Sequence, residues 1–250
     1  MNVEPAVAEV RRAVRNALRG HRGPLVVACS GGADSLALLA ATVAAVPDGV
    51  HAVVVDHGLQ EGSADVAARV AELARGLGAT AAVVRVEVKG RGGPEAAARR
   101  ARYTALRAAR PDPSSPILLG HTLDDQAETV LLGLGRGSGA RSLAGMCEWD
   151  PPWLRPLLGV RRATTRAACA ALDLPVWDDP HNTDPRYTRV RLREEVLPLL
   201  EDVLAGGVAS ALARTARQLQ EDAAALDALG ADLWRRAEAG TGGRVDVGGM

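Results

Sequence analysis

A six-residue loop rich in glycine and hydroxyl groups has the composition of a phosphate-binding site. It reads Ser30-Gly31-Gly32-Ala33-Asp34-Ser35 and follows a short apolar stretch. Glycines let the backbone curl so that successive N–H groups face one anion, and the serine hydroxyls add further donors. The helix predicted after the loop adds a favourable dipole at its N-terminus. A plain strand-to-helix turn with a serine cap is the alternative interpretation.

Asp34 is the one acidic residue in this loop, and its carboxylate would repel a phosphate directly. It makes chemical sense as a ligand of Mg²⁺, a cation that bridges phosphate oxygens and carboxylates. The loop is not a Walker loop, because it lacks the Gly-Lys-Ser/Thr ending. The sequence therefore predicts a magnesium–nucleotide site of another type.

A second segment places an imidazole beside carboxylates. It reads His121-Thr122-Leu123-Asp124-Asp125-Gln126-Ala127-Glu128-Thr129. If the helix starts at Asp124, Asp125 and Glu128 share one face, because they are three residues apart. This set suits metal binding and general-base work. Helix capping by acidic residues is the alternative.

Basic residues are concentrated in two stretches of a chain whose formal net charge is zero. Eight lie from Arg85 to Arg110, where only Glu87 and Glu95 oppose them. In that stretch Arg99 and Arg102 are three apart on a predicted helix and are candidate phosphate ligands. The second stretch comprises Arg186, Arg189, Arg191 and Arg193, and it is a candidate RNA-backbone contact. Ordinary solvated helix faces are the alternative for both.

Alternating strand and helix patterns predict the elements that position these residues. Four apolar runs read as buried strands, Leu25–Cys29, Val50–Asp56, Ala81–Val88 and Pro116–Gly120. Predicted helices, 35–46, 63–77, 95–109 and 124–132, follow them in turn. The alternation indicates a doubly wound α/β domain with a parallel sheet, and ligands in such sheets lie beyond the C-terminal strand ends. The loops that start at Ser30, Asp56 and His121 are therefore the candidate site.

The C-terminal part predicts a different architecture. A glycine-rich loop, Gly133–Gly139, and irregular sequence to Leu158 precede another helix, 161–172. Beyond Pro198, leucines recur every seven residues, which indicates one long helix with a core-facing seam, and they are Leu212, Leu219, Leu226 and Leu233. We place a domain boundary near residue 202, giving an α/β domain over 1–202 and a helical domain over 203–250 that is cut short.

Composition narrows the class of protein. The three cysteines, Cys29, Cys147 and Cys169, form no Cys-x-x-Cys pair. No apolar run has the length of a membrane span and the N-terminus lacks a signal core, so we expect a soluble cytoplasmic protein. The oligomeric state stays open, with a homodimer as one alternative.

The Ser30–Ser35 loop resembles the S-G-G-x-D-S signature of the PP-loop ATP pyrophosphatases. This family cleaves ATP between the α- and β-phosphates and adenylates a carbonyl oxygen for later displacement. It includes NAD synthetase, GMP synthetase, tRNA thiolases and lysidine synthetases. The loop alone does not distinguish among them.

The segment from His121 to Thr129 resembles the H-x-x-D-D-x-x-E-T motif of lysidine synthetases and, in a related form, of tRNA 2-thiocytidine enzymes. Further segments match the lysidine synthetase pattern, namely Asp56-His57-Gly58-Leu59, Glu95 with Ala98-Arg99 and Arg102-Tyr103, Arg136-Gly137-Ser138-Gly139, Arg155-Pro156-Leu157-Leu158, and Asn182 to Arg193. Val190 departs from it, because the family usually has Asn there. The resemblance runs in order from about residue 24 to 195.

The resemblance implies ATP-dependent ligation of free lysine to carbon 2 of the cytidine at the first anticodon position of tRNA(Ile), with anticodon CAU and Mg²⁺ as the cation. The implied ATP-binding residues are Ser30, Gly31, Gly32, Ala33, Asp34, Ser35, Asp56 and His57. The implied catalytic residues are Asp34, Arg99, Arg102 and Asp125, with His121 as the rival to Asp125 for general base. The implied lysine or RNA contacts are Glu128, Arg136, Ser138, Arg189, Arg191 and Arg193. A thiolating enzyme and a non-catalytic nucleotide-binding module remain the alternatives.

Overall fold

The computed structural model describes residues 4–58, 62–88, 94–137, 139–179 and 183–240. Within these ranges six strands form one sheet. They are β1 (Leu25–Ala28), β2 (Val50–Asp56), β3 (Thr80–Arg85), β4 (Ile117–Leu118), β5 (Trp149–Asp150) and β6 (Trp153–Leu154). Their order across the sheet is β3-β2-β1-β4-β6-β5, and every neighbouring pair is parallel except β5 with β6.

The helices of the described ranges surround this sheet and continue beyond it. The helices that follow or precede the strands are α1 (Pro5–Ala17), α2 (Ala33–Ala45), α3 (Ser63–Gly76), α4 (Pro94–Ala108), α5 (Leu123–Gly135), α6 (Ala140–Leu143) and α7 (Arg162–Ala171). The C-terminal part contains α8 (Thr188–Arg191), a π-helical segment (Leu192–Val196), α9 (Leu197–Val203) and α10 (Val208–Gly240). The predicted α/β fold with a helical C-terminal region is confirmed.

Strand β1 lies in the centre because its side chains are buried on both faces of the sheet. Leu25 and Val27 pack into a core with α1, α2, α3 and α7, whereas Val26 and Ala28 pack into a second core with Leu106 of α4. Side chains of a strand alternate between faces, so an uninterrupted apolar run fits a sheet covered on both sides.

The strand order creates a switch point between β1 and β4. The chain moves from β1 through β2 to β3, and α4 then carries it back to β4 on the other side of β1. Ligands of open α/β sheets bind where the order reverses in this way, beyond the carboxyl ends of the strands. The loop after β1 and the loop after β4 therefore meet at this point.

Two sequence predictions about the region after α5 are wrong. Helix α5 extends through Gly133 to Gly135, so the glycine-rich loop begins later than predicted. At Gly133 a Cβ atom would lie 2.4 Å from the Ser142 carbonyl oxygen, so this glycine permits close packing of the chain after α5. The sequence up to Leu158 was predicted to be irregular but contains β5 and β6, which are two residues each and too short to show a period.

The predicted leucine seam of α10 is confirmed only near the start of the helix. Leu212 packs against a small core that contains Leu123, Ala127 and Leu197. Leu226 and Leu233 are 68% and 66% exposed, so the heptad spacing does not mark core positions there. Within the described ranges no single helix is long and apolar enough to cross a membrane, and Thr188–Val203 with Val208–Glu238 meets that test only as a pair bent by 96°.

Gly31 forms the tight turn between β1 and α2. Its φ is +87°, a left-handed conformation that side chains rarely adopt, and a Cβ atom there would lie 2.6 Å from Cγ2 of Val70 on α3. Its carbonyl oxygen accepts a hydrogen bond from the Trp177 N–H at 2.9 Å. The turn is therefore fixed by packing from two sides.

We predict that Gly31→Ala destabilises the fold and weakens ATP binding, whereas Gly32→Ala does neither to the same degree. The left-handed strain alone costs about 1–3 kcal/mol, and the contact with Val70 adds to it. A Cβ at Gly32 would meet nothing closer than 3.8 Å, and its φ is −72°. Urea unfolding and ATP titration of both variants test this. Equal effects in the two variants would contradict the role of the turn.

Candidate active site

The phosphate loop is closed by its own serines. The Ser35 hydroxyl donates to the Gly32 carbonyl oxygen at 2.9 Å and accepts from the Ser30 N–H at 3.2 Å. The Ser30 and Ser35 hydroxyls lie 3.3 Å apart. Helix α2 begins at Ala33, two residues earlier than predicted, with Gly32 as its N-cap. Glycine has no side chain with which to cap the first N–H groups of α2. Because a side chain does not occupy these donors, they can bind an anion such as a phosphate.

Asp34 lies in the first turn of α2 and faces α7. Its Oδ1 accepts a short hydrogen bond from the Thr165 hydroxyl, and its Oδ2 lies 3.6 Å from Nε of Arg162. Burial raises the pKa of Asp34, and the negative charge of the nearby Asp125 carboxylate raises it further. The hydrogen bond from Thr165 opposes this rise without cancelling it. Asp34 and Asp125 are thus brought close together from two different helices.

Asp125 caps the start of α5 and binds α7 at the same time. Its Oδ2 accepts from the Thr122 N–H at 2.7 Å and from the Thr122 hydroxyl at 2.8 Å. Its Oδ1 accepts from Nη2 of Arg162 at 2.6 Å. Burial alone would raise the pKa of Asp125, but Arg162 and the Thr122 bonds outweigh it and hold the pKa below its usual range. The capping alternative and the charged cluster therefore coexist at one side chain.

Glu128 is fully buried among three guanidinium groups. Its Oε1 lies 2.9 Å from Nε of Arg193 and 3.3 Å from Nη2 of Arg162, and Nη1 of Arg189 lies 3.7 Å from Oε2. A buried carboxylate is tolerated only when it is paired in this way. Arg189 and Arg193, which were expected at the RNA backbone, thus point into the protein in this structure.

The other candidate RNA contacts lie apart from this cluster. Arg191 is exposed and pairs with Glu195 at 2.8 Å. Arg136 is exposed at the C-terminal end of α5. Ser138 lies outside the described residues, so its predicted role stays a prediction. Asn182, which begins the last matching segment, also lies outside them.

Sequence reasoning did not identify Arg162, the residue that contacts most of these carboxylates. It also contacts Asp34, and its backbone N–H donates to Oδ2 of Asp124 at 2.7 Å. Burial would lower the pKa of its guanidinium, but Asp125, Glu128 and Asp34 outweigh this and raise it. In the sequence, Arg162 stands out only as part of the Arg161-Arg162 pair at the start of a predicted helix. The neighbouring residues do not distinguish this pair from two arginines on the surface.

Arg99 and Arg102 differ in their surroundings, although both are on α4. Arg99 is exposed and donates to the Tyr103 hydroxyl at 2.9 Å. Arg102 is partly buried, and burial lowers the pKa of its guanidinium. After burial of the imidazoles themselves, the positive charge of Arg102 is the next cause that lowers the pKa of His57, and it also lowers the pKa of His121. Arg102 is therefore the less exposed of the two arginines, and the charges of both act on His121.

Two histidines follow strands of the sheet, His57 after β2 and His121 after β4 at the switch point. The Nδ1 atoms of His57 and His121 are buried and have no hydrogen-bond partner among the described residues. Burial lowers the pKa of His121 to about 3, and burial likewise lowers the pKa of His57. Beside His57, Asp56 accepts from the Gly58 N–H at 2.9 Å. Both imidazoles are thus neutral at physiological pH.

The cysteines do not form a reactive group. Cys29 and Cys169 are buried, Cys147 is exposed, and none is in a disulfide. Burial raises the pKa of Cys169 to about 11 and also raises the pKa of Cys29. Thiols with raised pKa values are poor nucleophiles.

The parallel sheet, the serine-glycine loop at its switch point and the carboxylates facing it define a nucleotide-binding domain of the PP-loop class. Residues 5–200 match the family model of the PP-loop domain. The chain is 61% identical over 247 residues to a tRNA(Ile)-lysidine synthase of Rhodococcus jostii (strain RHA1), covering 98% of this chain and 74% of that one. A tRNA(Ile)-lysidine synthase of Nocardia farcinica (strain IFM 10152) is 64% identical over 229 residues, covering 90% and 71%. The chain belongs to the tRNA(Ile)-lysidine synthase family of ligases.

A solved structure supports the fold independently. The U34-tRNA thiolase NcsA of Methanococcus maripaludis superposes with a TM-score of 0.70 at 19% identity, covering 86% of this chain and 80% of that chain. At this identity the likeness concerns the architecture alone.

We predict that His121 makes the fold less stable as the pH falls. Its folded pKa of about 3 lies below its ordinary value of about 6.5, so the unfolded chain binds the proton first and stability is lost below pH about 6.5. His121→Asn should reduce the slope of unfolding free energy against pH between pH 6.5 and 5, by at most about 1.4 kcal/mol per unit. His21→Asn is the matched control, because its ring is exposed. An unchanged slope in His121→Asn would contradict the buried neutral imidazole.

Proposed function

We propose that this chain ligates free lysine to carbon 2 of the cytidine at the first anticodon position of tRNA(Ile) with anticodon CAU, using ATP, and so forms lysidine. The observation that carries the proposal is family membership over nearly the whole chain, at 61% identity to a tRNA(Ile)-lysidine synthase. The site geometry supports it, because a phosphate loop and a charged carboxylate cluster meet at one switch point.

The first step asks the protein to hold pyrophosphate while the 2-carbonyl oxygen of cytidine attacks the α-phosphate. The curled Ser30–Ser35 loop and the first N–H groups of α2 supply donors for the leaving pyrophosphate. Arg102 lies near the strand ends and is the better candidate for the charge that develops at the α-phosphate. Arg99 is exposed, and its role is to bind a phosphate that approaches from solvent.

Mg²⁺ fits the donor set at Asp34. Among the described residues no group of three His, Cys, Asp or Glu side chains could hold a metal ion unaided. Mg²⁺ commonly takes one or two carboxylates and completes its shell with waters and substrate phosphates. Asp34 lies in the first turn of α2, directly after the start of the phosphate loop, and its carboxylate would be the protein ligand of such a partial site; the ion would supply charge neutralisation at the phosphates.

In the second step the lysine amine must be neutral to attack carbon 2 of the cytidine. Because its ammonium form has a pKa of about 10.4 in water, it must first lose a proton. Asp125 has both carboxylate oxygens engaged and a lowered pKa, so it stays ionised and suits cation binding better than proton removal. His121 has an unpartnered ring nitrogen, but its pKa of about 3 makes it a weak proton acceptor in this state, so neither Asp125 nor His121 is favoured as the general base by its pKa. Asp125 is the candidate to attract the ammonium group, because its side chain keeps 17% exposure, whereas Glu128 is fully buried among arginines.

Two other functions, a thiolating enzyme and a non-catalytic nucleotide-binding module, fit the site less well than lysidine formation does. A thiolating enzyme needs cysteines that carry sulfur or a cluster, and Cys29 and Cys169 are buried thiols with raised pKa values. A non-catalytic nucleotide-binding module would need the phosphate loop alone. It would not need Asp125 and Glu128 held by arginines next to that loop.

Mass spectrometry of tRNA(Ile) with anticodon CAU tests the proposal. Incubation with the chain, ATP, Mg²⁺ and lysine should convert one cytidine to lysidine and release AMP and pyrophosphate.

A variant in which all three cysteines are replaced by Ala or Ser should retain this activity if it remains folded. Lysine-independent AMP release with sulfur incorporation would instead support the thiolating alternative.

We further predict that Asp34→Asn leaves the fold intact but reduces AMP formation by on the order of a hundredfold or more. The reason is that the variant loses the carboxylate that would hold Mg²⁺, and with it the positive charge that stabilises the transition state. The Asn side chain has the same shape and keeps an acceptor for Thr165. Circular dichroism and single-turnover AMP release are the measurements. Normal turnover at saturating Mg²⁺ would exclude Asp34 as a cation ligand.

A further inference from the structure

Arg162 connects the two helices that begin at the switch point. Its Nε lies 3.6 Å from Oδ2 of Asp34 on α2, which follows β1. Its Nη2 lies 2.6 Å from Oδ1 of Asp125 and 3.3 Å from Oε1 of Glu128 on α5, which follows β4. One guanidinium therefore bridges the phosphate loop and the acidic helix.

The guanidinium is held in place as well as paired. Its side chain is 20% exposed, and the Arg162 backbone N–H donates to Asp124 at 2.7 Å, which fixes the start of α7 on α5. The planar fork of arginine offers five donors in a rigid arrangement, so one side chain serves several carboxylates at fixed angles. Lysine is a point charge on a flexible stem and cannot reproduce these angles.

We propose that Arg162 is a positioning residue for the adenylation step, setting the distance and orientation between the Ser30–Ser35 loop and the carboxylates of α5. It acts through Asp34, Asp125 and Glu128 and does not itself touch the reacting atoms. The role rests on the proposed function, because it requires one substrate held at the loop and another held against α5.

The physical reason is that the two sides of the site repel each other without a shared cation. Asp34 and Asp125 both contact the same guanidinium, at 3.6 Å and 2.6 Å, so the two carboxylates lie close together. Removing the guanidinium leaves Arg193 near Asp125 at 3.7 Å, but Arg193 bonds mainly to Glu128 at 2.9 Å and acts on Asp34 only through its charge. The loop and α5 would then separate or rotate while each keeps its own local structure.

The experiment compares Arg162→Lys and Arg162→Gln with the control Arg161→Gln in the full chain. Arg161 is adjacent in sequence, 46% exposed, and pairs with Asp124 at 3.0 Å, so its loss removes an ion pair at the same helix start. Three quantities are measured for each variant. They are the melting temperature, MgATP affinity by calorimetry, and single-turnover product release with tRNA(Ile) and lysine, where pyrophosphate reports the adenylation step and AMP reports the complete reaction.

We expect both Arg162 variants to release pyrophosphate and AMP on the order of a hundredfold more slowly, the scale set by small misplacement of reacting groups. MgATP affinity should change little, because the loop itself is intact. Arg162→Lys should recover the melting temperature lost in Arg162→Gln but not the rate. Arg161→Gln should keep the wild-type rate.

A purely structural role gives a different pattern and would overturn the proposal. In that case Arg162→Lys would restore the rate together with the melting temperature, or the rate would simply follow the folded fraction. If Arg162→Gln does not fold, Arg162→Lys carries the test alone. A wild-type chain that forms no lysidine would overturn the proposed function and this role with it, whereas normal wild-type turnover with a fully active Arg162→Gln would overturn only the role of Arg162.

Discussion

The buried charge at the start of α5 constrains the rest of the site. Glu128 has no exposed surface, and leaving such a carboxylate unpaired costs several kcal/mol. Its compensating charges come from α7, α8 and the π-helical segment, which lie 34–65 residues further along the chain. Those segments must therefore fold back onto α5 before the site is complete. The ion-pair cluster links the phosphate loop to the C-terminal helices.

The π-helical segment that carries Arg193 has a local cause. Pro198 has no N–H to donate to the carbonyl four residues earlier, and its ring crowds that carbonyl. The helix widens over Leu192–Val196, directly before the proline-containing start of α9. Such widenings are frequent at functional sites, where they redirect side chains. Here the widened turn carries Arg193, which bonds to Glu128.

Helix α10 supports α5 from another side. The Gln126 amide exchanges two hydrogen bonds with the backbone of Met146, each 2.8 Å, and Gln220 of α10 donates to the same Met146 carbonyl at 3.0 Å. Glu201 accepts from the N–H groups of Val208 and Ala209, both at 3.0 Å, and so caps the start of α10. The C-terminal region thus holds the outer side of the helix whose first turns carry the charged cluster.

Local sequence patterns were sufficient to predict several elements of the fold. The apolar runs at β1 and β2, the glycine-serine loop between β1 and α2, and the acidic start of α5 all follow from residues within a few positions of one another. Because parallel strands end at a common edge, even the meeting of the Ser30 and His121 loops was predictable.

The pairing of charges depends on contacts between segments that are far apart in the sequence. Arg162 contacts Asp34 across 128 positions of sequence, and Arg189 and Arg193 turn inward to Glu128, although their sequence context resembled a solvated basic run. The two-residue strands β5 and β6 exist only through pairing with each other and with β4. Likewise, Leu226 and Leu233 repeat the spacing of Leu212 but are exposed. Local periodicity specifies a helix or a strand, whereas burial and ion pairing depend on which distant segment packs against it.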